Sequence, residues 1–143
     1  MTTPATSRWM RYTLVAAGIY NMVFGLLAVA RPDCFFEIAG MEQPLYPFLW
    51  QCIGMIVGVY GLGYLAAARD PLRHWPIVMV GFLGKIFGPI GFLDAATSGS
   101  ITWTFGYIII TNDLIWWIPF GIMLVAAWKH HRTARAADGE PGT

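Results

Sequence analysis

The sequence predicts an all-α fold, an antiparallel bundle of four transmembrane helices with both termini in the cytoplasm. Three observations carry this expectation. Hydrophobic residues make up 57% of the 143 positions and charged residues only 12%, about half the charged fraction of an ordinary soluble domain, which excludes both a water-soluble globule and a disordered chain. The apolar residues gather into four continuous runs of membrane length, about 20 residues to cross roughly 30 Å of hydrocarbon, without the alternation of a β-barrel. The basic residues fall unevenly between the connections.

The first run, 12–30, lies between Arg11 and Arg31 and is interrupted by Asn21 and Gly25. Its start also allows a cleaved signal peptide, with Arg8 and Arg11 as the basic region and Ala28-Val29-Ala30 as the processing site. The run exceeds the usual apolar stretch of such a peptide, which favours a retained span. The connection 31–48 is the longest; Asp33 is placed to cap a short turn over Cys34-Phe35-Phe36-Glu37-Ile38 that stops at Gly40, with its apolar side at the membrane surface. The second span, 49–68, ends at Arg69-Asp70-Pro71. The third, 75–93, carries Lys85 and Pro89, and the fourth, 103–128, carries Asn112, Asp113 and Pro119. One membrane domain thus occupies 1–134, followed by an Ala-, Gly- and Pro-containing tail at 135–143 that is expected to be disordered.

Orientation follows from the retention of Lys and Arg on the cytoplasmic side of short loops. Arg8, Arg11, Arg69, Arg73, Lys129, Arg132 and Arg135 fall on one side, Arg31 alone on the other, and Lys85 inside the membrane. The formal net charge of +1 therefore conceals a sided distribution, while offering nothing to recruit nucleic acid. Trp9, Tyr12, Trp75 and Trp128 on the basic side, and Tyr46, Trp50 and Trp103 on the other, are placed as interfacial anchors.

Ionisable groups in hydrocarbon cost about 2.5 to 3.5 kcal/mol each at the centre of a span on insertion scales, so each needs a partner or a task. Lys85 lies just past the midpoint of the third span and Asp113 just before that of the fourth, so the two reach matching depth and are expected to pair. Gly81 and Gly88 share the Lys85 face at helical spacing. Gly54, Gly58 and Gly61 form a similar face on the second span, and Asn21 lies between Gly18 and Gly25 on the first. Pro89 has no N–H for the carbonyl four residues back, which leaves the Lys85 carbonyl without its helical donor. Trp116 and Trp117 are candidates for an aromatic wall, with Tyr60, Tyr64 and Tyr107 as hydroxyl partners. Asn112, the helical neighbour of Asp113, is expected to face a different way from it, so that one of the two looks toward another subunit. The polar centre is thus Lys85, Asp113, Asn112 and Asn21, with Gln51 as a further candidate member, either stapling the bundle or binding a proton or small ligand.

Cys34 and Cys52 lie on the same side and match no redox or zinc spacing, and His74, His130 and His131 all fall in basic-side segments, unsuited to haem within the membrane. No catalytic or phosphate-binding motif is present, and neither a metal nor a cofactor is expected.

With its basic start, its first span bearing Gly18, Asn21 and Gly25, the loop Arg31-Pro32-Asp33-Cys34-Phe35-Phe36 and its short connections, the chain resembles the DoxX-like group of small bacterial four-helix membrane proteins. It is similar to an uncharacterised set within that group through Trp50-Gln51-Cys52-Ile53-Gly54-Met55, Arg69-Asp70-Pro71, the segment 84–91 (Gly84-Lys85-Ile86-Phe87 onward) and Thr111-Asn112-Asp113-Leu114-Ile115-Trp116-Trp117. The resemblance implies a four-helix bundle in the bacterial inner membrane, and it suggests accessory subunits of quinone or thiosulfate oxidoreductases as relatives. Some members carry an alkyl hydroperoxide reductase label. The residues do not support it, because a peroxidatic thiolate needs an accessible electropositive pocket whereas Cys34 adjoins Asp33 and two Phe and Cys52 faces lipid.

Two functions remain. One is a non-enzymatic membrane protein whose Lys85–Asp113 centre organises the bundle and binds a small ligand or partner helix, with a dimeric proton-coupled carrier as its variant. The other is a component of a membrane oxidoreductase that handles a quinone-like or thiol substrate near Trp50, Gln51 and Cys52. The lipid bilayer is the partner common to both, with a second copy or an oxidoreductase subunit beyond it.

Overall fold

The computed structural model describes residues 4–138. Among them the chain is helical, with four helical segments long and apolar enough to cross a membrane, 8–30, 47–67, 75–97 and 103–134. Helix α1 (Pro4–Ala30) stops where Pro32 bars the α conformation from the residue before it. A short helix α2 (Cys34–Ile38) follows, then α3 (Pro47–Ala67) with proline at its start and α4 (Trp75–Thr97) with Pro76 in its first turn, where the missing N–H costs nothing.

The expected turn at Asp33 forms, but not through its side chain. The Asp33 backbone carbonyl accepts from Phe36 and Glu37, while the carboxylate lies 3.3 Å from the Arg31 guanidinium. Hydrogen bonding to its own backbone N–H, and then to Arg31, holds the Asp33 carboxyl below the usual range. Gly40 ends the turn with φ of +66°, a left-handed conformation that glycine adopts without steric cost.

The fourth span departs from expectation: it is not one helix. A 3₁₀ turn at Trp103–Phe105 leads into α5 (Gly106–Asn112). The α-helix ends at Asp113 (φ −121°, ψ −60°), a second 3₁₀ turn covers Leu114–Trp116, and α6 runs Trp117–Asp138. Pro119 supplies the reason. Its ring would clash with the carbonyl of Ile115 in a continuous helix and it has no N–H to give that carbonyl, whereas in the first turn of a newly started helix it is tolerated. The helix continues through Asp138, four residues into the segment 135–143 expected to be a disordered tail; the rest of that segment lies outside the described residues.

Helices α1 and α3 pack most extensively, along a seam of glycines. A Cβ on Gly25 would stand 2.9 Å from the Gly58 Cα and press into the Gly54 carbonyl oxygen, and one on Gly61 would stand 2.7 Å from the Gly18 carbonyl oxygen. Gly54, where a Cβ would stand 2.7 Å from the Ala28 Cβ, therefore serves packing within the chain, the close backbone approach that small residues permit in lipid, while a Cβ on Gly58 would meet nothing within 4 Å.

Two apolar clusters flank the middle of the bundle. One joins Met10, Leu14 and Ala17 to Tyr64, Ala67, Val78, Phe120 and Met123; the other joins Phe24 and Ala28 to Phe35, Phe105 and Ile108. On α1, α4 and the broken span, the central polar residue falls between residues packed in the first set and residues packed in the second. Arg11 Nε donates to the Ala68 carbonyl at 3.0 Å, and a His131 ring nitrogen lies 2.9 Å from the Leu72 carbonyl, so two basic-side residues satisfy backbone groups that the end of α3 and the following turn leave open.

The glycine seam yields a contrast measurable in detergent. Gly25→Ala is expected to lower the melting temperature, because the added methyl meets backbone that cannot move aside. Gly91→Ala, with nothing within 4 Å of its added Cβ, is expected to leave it unchanged or raised, since alanine is the better helix former by about 1 kcal/mol. Equal losses from the two variants would show that the seam does not set the α1–α3 spacing.

Candidate functional site

Lys85 and Asp113 are each 4% exposed and Asn21 is 3% exposed, and they are the three buried polar or charged residues of the described chain. Lys85 Nζ stands 4.0 Å from Asp113 Oδ1, so the pairing expected from matched depth is formed. At that distance the carboxylate offsets the ammonium's desolvation without making a full hydrogen bond. The close contact is made instead by backbone: Lys85 Nζ donates to the Asn112 carbonyl.

The break in the fourth span makes that acceptor available. In an unbroken helix the Asn112 carbonyl would take the N–H of Trp116, four residues on. The 3₁₀ turn passes that N–H to the Asp113 carbonyl at 3.1 Å, and the freed Asn112 carbonyl turns to the lysine. The break also overturns the expectation that Asn112 faces away from Asp113. That expectation assumes regular helical rotation, and the φ and ψ of Asp113 interrupt it. The Asn112 side chain instead donates its Nδ2 to Asp113 Oδ1 at 2.8 Å, and both residues line the same cleft.

Small residues fit the centre to its neighbours. The Asp113 carboxylate rests over Gly88, where an added Cβ would stand 2.7 Å from Oδ2, and the Tyr64 hydroxyl occupies the space a side chain at Gly81 would need. Pro89 lies inside α4, and the Lys85 carbonyl it deprives of a donor accepts instead from Trp117 Nε1 at 2.9 Å. The Trp116 ring lies 5.9 Å from Lys85 Nζ, close enough for a cation–π contribution, and Tyr20 packs on its other side, with its hydroxyl donating to Thr111. The two tryptophans thus support the lysine.

These groups border a cleft of about 160 Å³ lined by Asn21, Tyr60, Tyr64, Gly84, Lys85, Asn112 and Asp113 together with Ile56 and Val57. The Oδ1 atoms of Asn21 and Asn112 are buried without a hydrogen-bond partner, a state that costs about 1 to 3 kcal/mol for each atom left so.

Gln51 stands apart from this centre: its Nε2 donates to the Val29 carbonyl at 3.0 Å, tying the start of α3 to the end of α1. Tyr107 is exposed and lines a separate apolar groove with Trp103 and Leu114. Cys34 and Cys52 are unpaired, and burial raises the Cys34 thiol above its ordinary pKa, the opposite of what a reactive thiolate requires. No cluster of three His, Cys, Asp or Glu that could hold a metal occurs among the described residues.

Comparison of the chain with protein-family models, with curated proteins and with solved structures finds no match in any of the three.

A double-mutant cycle measures the pair. Asp113→Asn or Lys85→Met alone is expected to lower stability in detergent by about 3 to 5 kcal/mol, because each strands the opposite charge. The double variant is expected to recover at least about 1 kcal/mol of the summed loss. Additive losses in thermal or denaturant unfolding would show that the two side chains do not act together.

Proposed function

We propose that this chain is a binding protein rather than an enzyme, a multi-pass protein of a bacterial inner membrane whose Lys85–Asp113 centre receives a small polar ligand within the bilayer. The observation that carries this reading is the broken helix at Asp113 bordering a cleft in which two buried side-chain oxygens have no partner. Irregular backbone at membrane depth is tolerated where it is buried in protein or lines a polar cavity, and interrupted spans commonly direct freed carbonyls at a bound group. Here Lys85 occupies one freed carbonyl as a tethered cation, and the side-chain oxygens of Asn21 and Asn112 remain for hydrogen-bond donors.

Size narrows the ligand. About 160 Å³ accommodates roughly five waters at about 30 Å³ each, below the 300 to 1,000 Å³ typical of sites for drug-sized molecules. A few waters or a small neutral donor fit this space better than a quinone ring. A proton on Asp113 would remove one half of the charge pair, so the variant reading as a proton-coupled carrier draws on the same geometry.

The proposed topology is antiparallel, with both termini and the 68–74 connection cytoplasmic. Its support is the distribution of arginine and lysine and the two clusters that join opposite ends of successive spans. We also propose that the first span is retained, since α1 supplies Asn21 to the centre and its glycines to the seam. Kinship with the DoxX-like group rests on the segments around Asn21, Lys85 and Asp113.

Water access is the decisive property. In a chain with Cys34 and Cys52 replaced by Ser, a cysteine placed by Gly84→Cys stands at the cleft, while one placed by Gly91→Cys, about two turns along the same helix face, lies outside its lining; a Cβ meets nothing within 4 Å at either position. In sealed vesicles a small hydrophilic thiol reagent is expected to modify the first and not the second, although position 91 lies seven residues nearer the helix end. Failure to label position 84, or equal labelling of both, would overturn the proposal.

A further inference from the structure

Three arginines converge on a second cleft, at the end of the bundle away from α2. It has a volume of about 370 Å³ and is lined by Arg8, Arg11 and Arg69 with Tyr12, Val15, Leu65 and Ala68. None of the three arginines has a carboxylate within ion-pair distance among the described residues, where the ion pairs are those of Arg31 and Lys85. The nearest acid in sequence, Asp70, uses Oδ1 to accept from the Arg73 backbone N–H at 3.2 Å. Arg11 is held in place because its Nε donates to the Ala68 carbonyl, which leaves its terminal nitrogens as donors. Like charges gathered around one cleft without a counter-charge call for an anion, and guanidinium groups match the paired oxygens of a phosphate.

The order of residues along the two walls indicates what carries that phosphate. On α1, Arg8, Arg11, Tyr12 and Val15 share one face at helical spacing, changing from basic to apolar toward the middle of the span. On the opposite wall Leu65 of α3 precedes Ala68 and Arg69, which lie just past the end of that helix, so the same change runs in the same direction. A soluble anion would use only the basic end. An amphiphile with a charged head and a hydrocarbon chain matches the whole gradient, at the depth where basic pockets between spans meet lipid headgroups.

We propose that this cleft is a binding site for the phosphate headgroup of an anionic phospholipid, with Arg8, Arg11 and Arg69 on the phosphate and Val15 and Leu65 along the upper acyl chain. The site is separate from the Lys85–Asp113 centre and independent of its function.

Native mass spectrometry of the purified full chain, titrated with phosphatidylglycerol or phosphatidylcholine, tests it. One phosphatidylglycerol is expected to be retained at a concentration about tenfold below that needed for phosphatidylcholine, equivalent to about 1.4 kcal/mol. The variant Arg8→Gln with Arg69→Gln is expected to lose this preference. Both residues are exposed, so helicity by circular dichroism should be unchanged. Arg73→Gln with Arg132→Gln removes the same charge outside the cleft and is expected to keep the preference. Equal retention of the two lipids, or equal loss in both double variants, would overturn the proposal in favour of diffuse surface charge. Displacement of the lipid by inorganic phosphate at similar concentration would overturn it in favour of a free-anion site.

Discussion

A lysine and an aspartate placed in hydrocarbon leave a chain few arrangements, and the middle of this bundle follows from that constraint. Lys85 and Asp113 are each 4% exposed, so most of what surrounds each charge must be supplied by protein. The carboxylate at 4.0 Å supplies charge, but the directional contact comes from the Asn112 carbonyl. That carbonyl is available because the fourth span is interrupted, and the Asp113 carboxylate can approach because Gly88 has no side chain. Ion pair, helix break and glycine pattern form one device: restoring a regular helix at Asp113 would return the Asn112 carbonyl to Trp116 and leave the ammonium with a single distant partner.

The interior divides accordingly. Apolar clusters fill the bundle on either side of the centre, and the glycine seam draws α1 against α3 closely enough to bury Asn21. The arginines at one end of the bundle serve local chemistry. Arg11 closes the carbonyl end of α3 through Ala68 while sharing a cleft with Arg8 and Arg69. A near-neutral sum of charges thus resolves into a basic end, an acidic loop anchored by Arg31 and Asp33, and one pair at depth.

Much of this is legible in the sequence because it depends on length, depth and spacing. Apolar runs give the spans within a few residues, and counting residues from the span ends puts Lys85 and Asp113 at one level. Pro89 also announces an orphaned carbonyl at Lys85, although only the fold shows that Trp117, 32 residues away, supplies the donor. What could not be read rests on backbone geometry rather than composition. The fourth run is as apolar as the others, so hydropathy gives no sign of the interruption; the local signal is Pro119, whose effect is felt at Ile115 rather than at its own position. With the helix taken as regular, Asn112 and Asp113 point apart, and once it is broken they join. Gln51 is a polar residue near a glycine stripe like Asn21, yet it lies at the start of α3, where it ties to Val29 instead of reaching the centre.

The hydrogen bond from Trp117 to the Lys85 carbonyl has a consequence for how this sequence can drift. Pro89 removes one donor and Trp117 replaces it, so the carbonyl beside the lysine depends on the indole for as long as proline stands at position 89. Any residue with an N–H at position 89 would restore the helical donor, and the carbonyl has two lone pairs with which to accept from it and from the indole. Loss of the indole while Pro89 remains would leave a bare acceptor beside a buried ammonium. Positions 89 and 117 are therefore coupled in one direction in sequence space: changes in the order proline first, tryptophan second avoid the costlier intermediate.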